Sequence, residues 1–196
     1  MPRASVLLPV YNTAAFVLAA INSILAQTYS DFELIIIDDG STDGSAFLIS
    51  QIADFRVIKI FHSTNQGLVA TLNEGLNKAT GEYIVRMDSD DISTPDRLAI
   101  QISFMDQNPL IDVCGAAFTS GGAMKVNPAS HEEIKTWLLF HCCICHPATI
   151  IRNSMIRRLG IQYDRDYPHA EDYELWNRLA FQVQMANIPI NLLYYR

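Results

Sequence analysis

Apolar and polar positions along the chain fall into blocks of two kinds, short apolar runs and stretches of helical spacing. Ala4 to Val10 is an apolar run rich in Val and Leu, broken by Pro9, and reads as a strand. The next stretch sets Leu18, Ile21 and Leu25 at spacings of three and four, which predicts a helix. Phe32 to Ile37 is almost continuously apolar and ends abruptly in Asp38-Asp39-Gly40, as suits a strand buried on both faces of a parallel sheet. Ser45 to Ala53 then reads as helix, Val57 to Phe61 as strand, and Leu68 to Ala79 as helix with Leu72 and Leu76 one turn apart. Tyr83 to Met87 is a further strand, again closed by an acid, Asp88. Pro95 stands where a first-turn proline would open a helix running to about Gln107.

The second half is less regular. Asp112 to Thr119 predicts a strand, and Ser130 to Phe140 a helix opened by a capping box of Ser130 and Glu133. Ala148 to Arg152 reads as strand, Glu171 to Ala180 as helix, and Ile188 to Tyr195 as strand. Strands alternating with helices of this length predict an α/β fold, a central mainly parallel sheet flanked by helices. No Pro-, Gly- or Ser-rich linker interrupts the chain, so residues 1–196 are expected to form one domain. The most acid-rich turns both follow strand ends, where open α/β sheets bind ligands.

Composition narrows the classes of function. The chain is 49% hydrophobic and 18% charged, enough for a packed core and unlike a disordered segment. A net charge of −7, with no basic cluster beyond Arg157-Arg158, argues against a nucleic-acid groove. An acidic protein that handles a phosphate ester must supply basic side chains or recruit a cation. The N-terminus lacks a signal-peptide pattern, and no apolar run approaches the roughly 20 residues that cross a bilayer. The expectation is a cytoplasmic protein, with docking at the inner face of the membrane left open. The run His141-Cys142-Cys143-Ile144-Cys145-His146 superficially resembles a zinc site but has no second knuckle, and reduced thiols are expected instead.

Asp88-Ser89-Asp90-Asp91 concentrates three carboxylates that repel one another unless a cation or hydrogen bonds offset them. Carboxylates are hard oxygen ligands, suited to Mg²⁺ or Mn²⁺ shared with substrate phosphates. Capping of the helix near Pro95 accounts for one acid, Asp91 or Ser93 serving there, but not for three. Asp38 through Asp43 fits either a tight turn with a helix cap or an acceptor of hydrogen bonds from a base or ribose. Tyr11 follows the first strand and is either packed on the surface or stacked on a base. Glu171-Asp172 at a helix start suits the helix dipole, and equally a general base.

In this order the segments Pro9-Val10-Tyr11-Asn12, Asp38 to Asp43, Asn65-Gln66-Gly67-Leu68 with Asn73 and Gly75, Asp88 to Asp91, His146-Pro147-Ala148-Thr149 with Arg152, and Ala170 to Trp176 resemble glycosyltransferase family 2, inverting enzymes with a GT-A fold. The resemblance covers nearly the whole chain and implies roles by position. Pro9, Tyr11 and Asn12 would border the nucleobase, and Asp39 would hydrogen-bond it, uracil being commonest. Asn65, Gly67 and Asn73 would line the nucleotide side. Asp88 would sit near the ribose beside Ser89, and Asp90 would bind the Mn²⁺ or Mg²⁺ that bridges the diphosphate. Asp172 would be the catalytic base, while His146 and Arg152 carry no assigned role.

The implied partners are a nucleotide-sugar donor, expected to be a UDP-sugar, and a glycan or lipid-linked glycan acceptor, as in cell-envelope polysaccharide or lipopolysaccharide synthesis. About residues 1–95 would form the nucleotide-binding half and 96–196 the acceptor-binding half. Tyr194-Tyr195-Arg196 resembles a segment after which family members commonly continue, so truncation at the C-terminus is expected. Three rivals stand beside this reading, one of them a receiver-like module whose acid pocket binds Mg²⁺, which would leave the Glu171-Asp172 helix and so long a second half unexplained. A sugar-1-phosphate nucleotidyltransferase would need a Gly-rich basic loop after the first strand, where Thr13-Ala14-Ala15 stands. A catalytically inactive nucleotide-sugar-binding domain would keep the donor side alone.

Overall fold

A computed structural model describes residues 1–196. Strand β1 (Ala4–Val10) pairs in parallel with β2 (Phe32–Asp38) and β4 (Tyr83–Arg86), and β2 pairs in parallel with β3 (Val57–Phe61). Helices α1 (Val17–Leu25), α2 (Ser45–Ser50) and α3 (Leu68–Lys78) connect them. The remaining strands are β5 (Ile92–Ser93), β6 (Ile111–Ser120), β7 (Ala123–Lys125), β8 (Ile150–Arg152) and β9 (Gln184–Tyr195). They extend one nine-stranded sheet in the order β3-β2-β1-β4-β8-β6-β9-β5, with β7 on β6. The expected parallel sheet thus forms the first half. In the second, only β6 and β9 run parallel, and β4–β8, β6–β8, β6–β7 and β5–β9 are antiparallel.

Apolar alternation decides what covers each face. Ala4, Val6, Leu8 and Val10 point into a core shared with α1, α2 and α4 (Arg97–Gln107). Leu7, Ile35 and Ile37 point the other way, into a core closed by α3, α5 (His131–Trp137), α6 (Asn153–Leu159) and α7 (Glu171–Leu179). The Ser130–Glu133 capping box forms as expected.

Several elements differ from expectation for local reasons. Helix α1 buries Val17, Ala20, Ile21 and Ile24; of the expected stripe, Ile21 is buried, Leu25 packs part-buried against the same core, and Leu18 is exposed. Helix α4 begins at Arg97, not at Pro95. The Pro95 carbonyl accepts the Thr28 N–H instead of one from α4, and the first i to i+4 bond runs from the Ile100 N–H to the Asp96 carbonyl. A turn of 3₁₀ helix at His146–Ala148 delays β8 to Ile150. Strands β5 and β7 and helix α6 were not expected at all, and β9 starts four residues before Ile188.

Candidate functional site

Because β1, β2 and β4 are parallel and in register, Val10, Asp38 and the segment after Arg86 lie side by side at one sheet edge. The three turns that leave this edge tie to one another. Ser41 Oγ accepts the Asn12 N–H at 2.9 Å, Asn12 Oδ1 accepts the Thr42 N–H at 2.8 Å, and Asp43 accepts the Ala14 N–H at 2.8 Å. Thr13 then donates to Ser89 Oγ at 3.0 Å, linking the first turn to the acid turn.

A cavity of about 290 Å³ opens between them, lined by Pro9, Tyr11, Asp39, Asn65, Asp88, Ser89 and Asp90 among others. Asp39 is buried and shapes its wall. Its carboxylate accepts from the Gln66 N–H at 2.9 Å, the Gly67 N–H at 2.8 Å and the His62 ring at 2.6 Å. Gly40 makes this loop possible: at φ 73° it lies so close that an added Cβ would fall 2.6 Å from the Thr64 carbonyl carbon. Tyr11 is half exposed at the rim, a ring free to stack.

The acid turn splits by environment. Asp88 pairs with the guanidinium of Arg86, a buried cation inside β4. The Asp90 side chain makes no bond within the chain and lines the cavity; only its carbonyl is used, by Arg196 Nε at 3.1 Å. Asp91 is 1% exposed and accepts the Arg196 N–H at 2.9 Å. Burial, with repulsion from Asp88 and Asp90, pushes its carboxyl up to about 7. Asp91 therefore does not cap α4, as one reading had it: it is folded inward and fastens the turn to β9.

A second cavity, of about 440 Å³, shares Leu68 and Asp88 with the first and is lined by Arg86, Cys145, His146, Glu171, Asp172 and Tyr195. Helix α7 delivers Glu171 and Asp172 in its first turn, where the dipole favours carboxylates. Asp172 Oδ1 accepts the Tyr173 N–H at 2.7 Å, and the Cys142 thiol lies 3.8 Å from Oδ2. His146 is buried against Tyr163 and Trp176, and bonds the Tyr163 hydroxyl at 2.8 Å. Burial, with Arg86 nearby, lowers its pKa well below the ordinary value, so it forms a neutral wall of the cavity. Arg152 reaches the carbonyls of Met105, Asn108 and Ile111, fixing the end of α4 to β8.

Three expected nucleotide residues do not line this cavity. Asn12 holds the turn just described, at φ 53°, and its amide does not line the cavity. Asn73 donates to the Tyr163 carbonyl at 2.9 Å and accepts the Tyr163 N–H at 2.8 Å, which occupies its amide on the far side of α3. Gly67 contributes through its N–H to Asp39 rather than by lining the pocket. The three clustered cysteines diverge: Cys142 faces Asp172, Cys143 lies in the core, and Cys145 lines the second cavity. Arg86 was missed. A single Arg inside an apolar strand immediately before acids is the signal that could have found it, since a buried cation needs a counter-charge.

Comparison with known proteins identifies the family and the fold. The family profile described as Glycosyl transferase family 2 matches residues 5–176. An uncharacterized glycosyltransferase of Haemophilus influenzae is 32% identical over 212 residues, covering 100% of this chain and 65% of that protein. The bifunctional glycosyltransferase pgtA of Dictyostelium discoideum is 30% identical over 90% of this chain and 29% of its own length. A crystal structure of S. aureus TarS 1-349 superimposes with a TM-score of 0.82 at 20% identity, over 98% of this chain and 60% of that one. The chain thus spans under two thirds of these proteins. No helix is long and apolar enough to cross a membrane.

Proposed function

The chain belongs to glycosyl transferase family 2, and from that premise we propose that it is an inverting enzyme moving a sugar from a nucleoside-diphosphate donor, UDP-linked, to a glycan or lipid-linked glycan hydroxyl. One observation carries the reading: the cavity with Tyr11, Asp39 and Asp90 and the cavity with Asp172 meet at Asp88. Donor and acceptor sides therefore share a wall. Structures of similar fold support the donor class, since TarS has been solved with UDP and with UDP-GlcNAc. The mannosyltransferase PcManGT from Pyrobaculum calidifontis has been solved with GDP-Man and Mn²⁺.

In this mechanism Tyr11 stacks on the base, and Asp39 keeps the loop at Asn65 to Gly67 against it. No group of three or more His, Cys, Asp or Glu side chains is arranged to hold a metal alone. The unpartnered Asp90 carboxylate, a hard oxygen donor, nonetheless fits Mn²⁺ or Mg²⁺ and would hold it on the donor side. When bound, such a cation supplies Lewis-acid stabilisation of the leaving group. Asp172 accepts the acceptor's hydroxyl proton while that oxygen bonds the anomeric carbon. The bond from that carbon to phosphate oxygen breaks, its electron pair leaves with the nucleoside diphosphate, and configuration inverts. Such chemistry suits the cytoplasmic face of a membrane, in building surface glycans.

A panel of nucleotide sugars, each with Mn²⁺ or Mg²⁺, tests the proposal by binding and turnover. Metal-dependent binding of one of them is the expected result; if none binds, the proposal fails.

A further inference from the structure

The second cavity does not end at Asp172. It shares Leu68, His169 and Glu171 with a cleft of about 310 Å³ over the start of α3. That cleft in turn shares Gln66, Ala70 and Arg165 with an open groove of about 930 Å³. One wall of this groove is a single face of α3, from Ala70 through Asn73 to Asn77 and Lys78, and the other is the segment from Gly160 to Arg165. From Ala70 to Lys78 the helical rise alone gives the trench roughly 12 Å of length.

The lining is polar, and much of it is uncommitted. The side chains of Asn77, Lys78, Gln162 and Arg165 are exposed and make no hydrogen bond or ion pair within the chain. The acids and amides around them are occupied: Glu74 by His62, Asn73 by Tyr163, and Asp164 by the Asp166 N–H. Free amides offer donors and acceptors together, which is what a chain of sugar hydroxyls requires. The groove floor is rigid, because Asn73 bonds both the N–H and the carbonyl of Tyr163 across it.

We propose that this trench is an extended acceptor subsite, so that the enzyme elongates a glycan of several residues rather than glycosylating a lone sugar. The inference rests on the transferase reading above. Its physical content is that contacts remote from the reacting hydroxyl hold the acceptor and raise kcat/KM as the chain lengthens.

The test uses the intact protein and an array of glycans graded in length, with the donor identified by the nucleotide-sugar panel. Transfer to longer acceptors should show kcat/KM about tenfold or more above that for a single sugar. Asn77→Trp, which fills the groove from an exposed position, and Arg165→Ala should abolish that gain. Both should leave donor hydrolysis and single-sugar transfer within about twofold. Equal kcat/KM for short and long acceptors, or loss of both alike in the variants, overturns the subsite while leaving the transferase reading intact. If no donor turns over, the transferase reading falls, and direct glycan binding decides the groove. There, absence of length dependence, or binding unchanged by Asn77→Trp, overturns it.

Discussion

Asp39 Oδ1 and His62 Nδ1 lie 2.6 Å apart, and the same imidazole reaches Glu74 through Nε2 at 2.7 Å. Burial alone would lower the His62 pKa, but the bonds to Asp39 and Glu74 outweigh it and raise the pKa above 6.5. A raised folded pKa means that this group's stabilisation is complete below the unfolded value near 6.5 and is lost as pH rises through the folded one. Urea melts taken between pH 6 and 9 should show stability falling with pH. His62→Gln should flatten that slope, and an unchanged slope would remove His62 as its source.

Asp172→Asn should reduce transfer by about 10² to 10⁴, the usual worth of a general base, while nucleotide affinity stays within about twofold. The carboxylate lies in the second cavity and not in the one that holds Tyr11 and Asp90. Calorimetric titration beside steady-state rates separates the two effects. Equal loss of both would count against the base assignment.

Asp90→Asn should raise the Mn²⁺ concentration needed for half-maximal activity by about tenfold or more, because one anionic oxygen ligand is lost. The melting temperature should not fall, since the side chain bonds nothing within the chain. A variant with an unaltered metal requirement would place the cation elsewhere.

Asn73→Ala should destabilise the fold by about 1–3 kcal/mol, leaving two Tyr163 backbone groups without their partner. Donor affinity should be untouched. Weakened donor binding with an unaltered denaturation midpoint would instead return Asn73 to the nucleotide side.

The strands that position the site were legible because a strand buried on both faces must be continuously apolar, and the acids ending Phe32–Ile37 and Tyr83–Met87 stand out against such runs. What could not be read is where short polar side chains point. Asn12 and Asn73 belong to the right segments, yet each satisfies a backbone that only the folded chain brings near. The partners of Asp91 and Asn73, at Arg196 and Tyr163, lie far along the sequence. Strands β5 and β7, of two and three residues, are too brief for any period to register. Helix α6 carries Arg157 and Arg158 within seven residues, so its apolar face is only Met155, Ile156 and the part-buried Leu159.

Strand β9 has a consequence for the order in which the molecule assembles. Ile92 and Ser93, directly after the acid turn, pair with Tyr194 and Leu193, and Asp91 is bonded to Arg196. During synthesis the parallel half can collapse as soon as its own strands emerge, but the acid turn must wait for a stretch of chain made about a hundred residues later. Contacts so distant in sequence are the slow ones to close. The acid turn is thus expected to order after the parallel half, once the chain through Arg196 has been made.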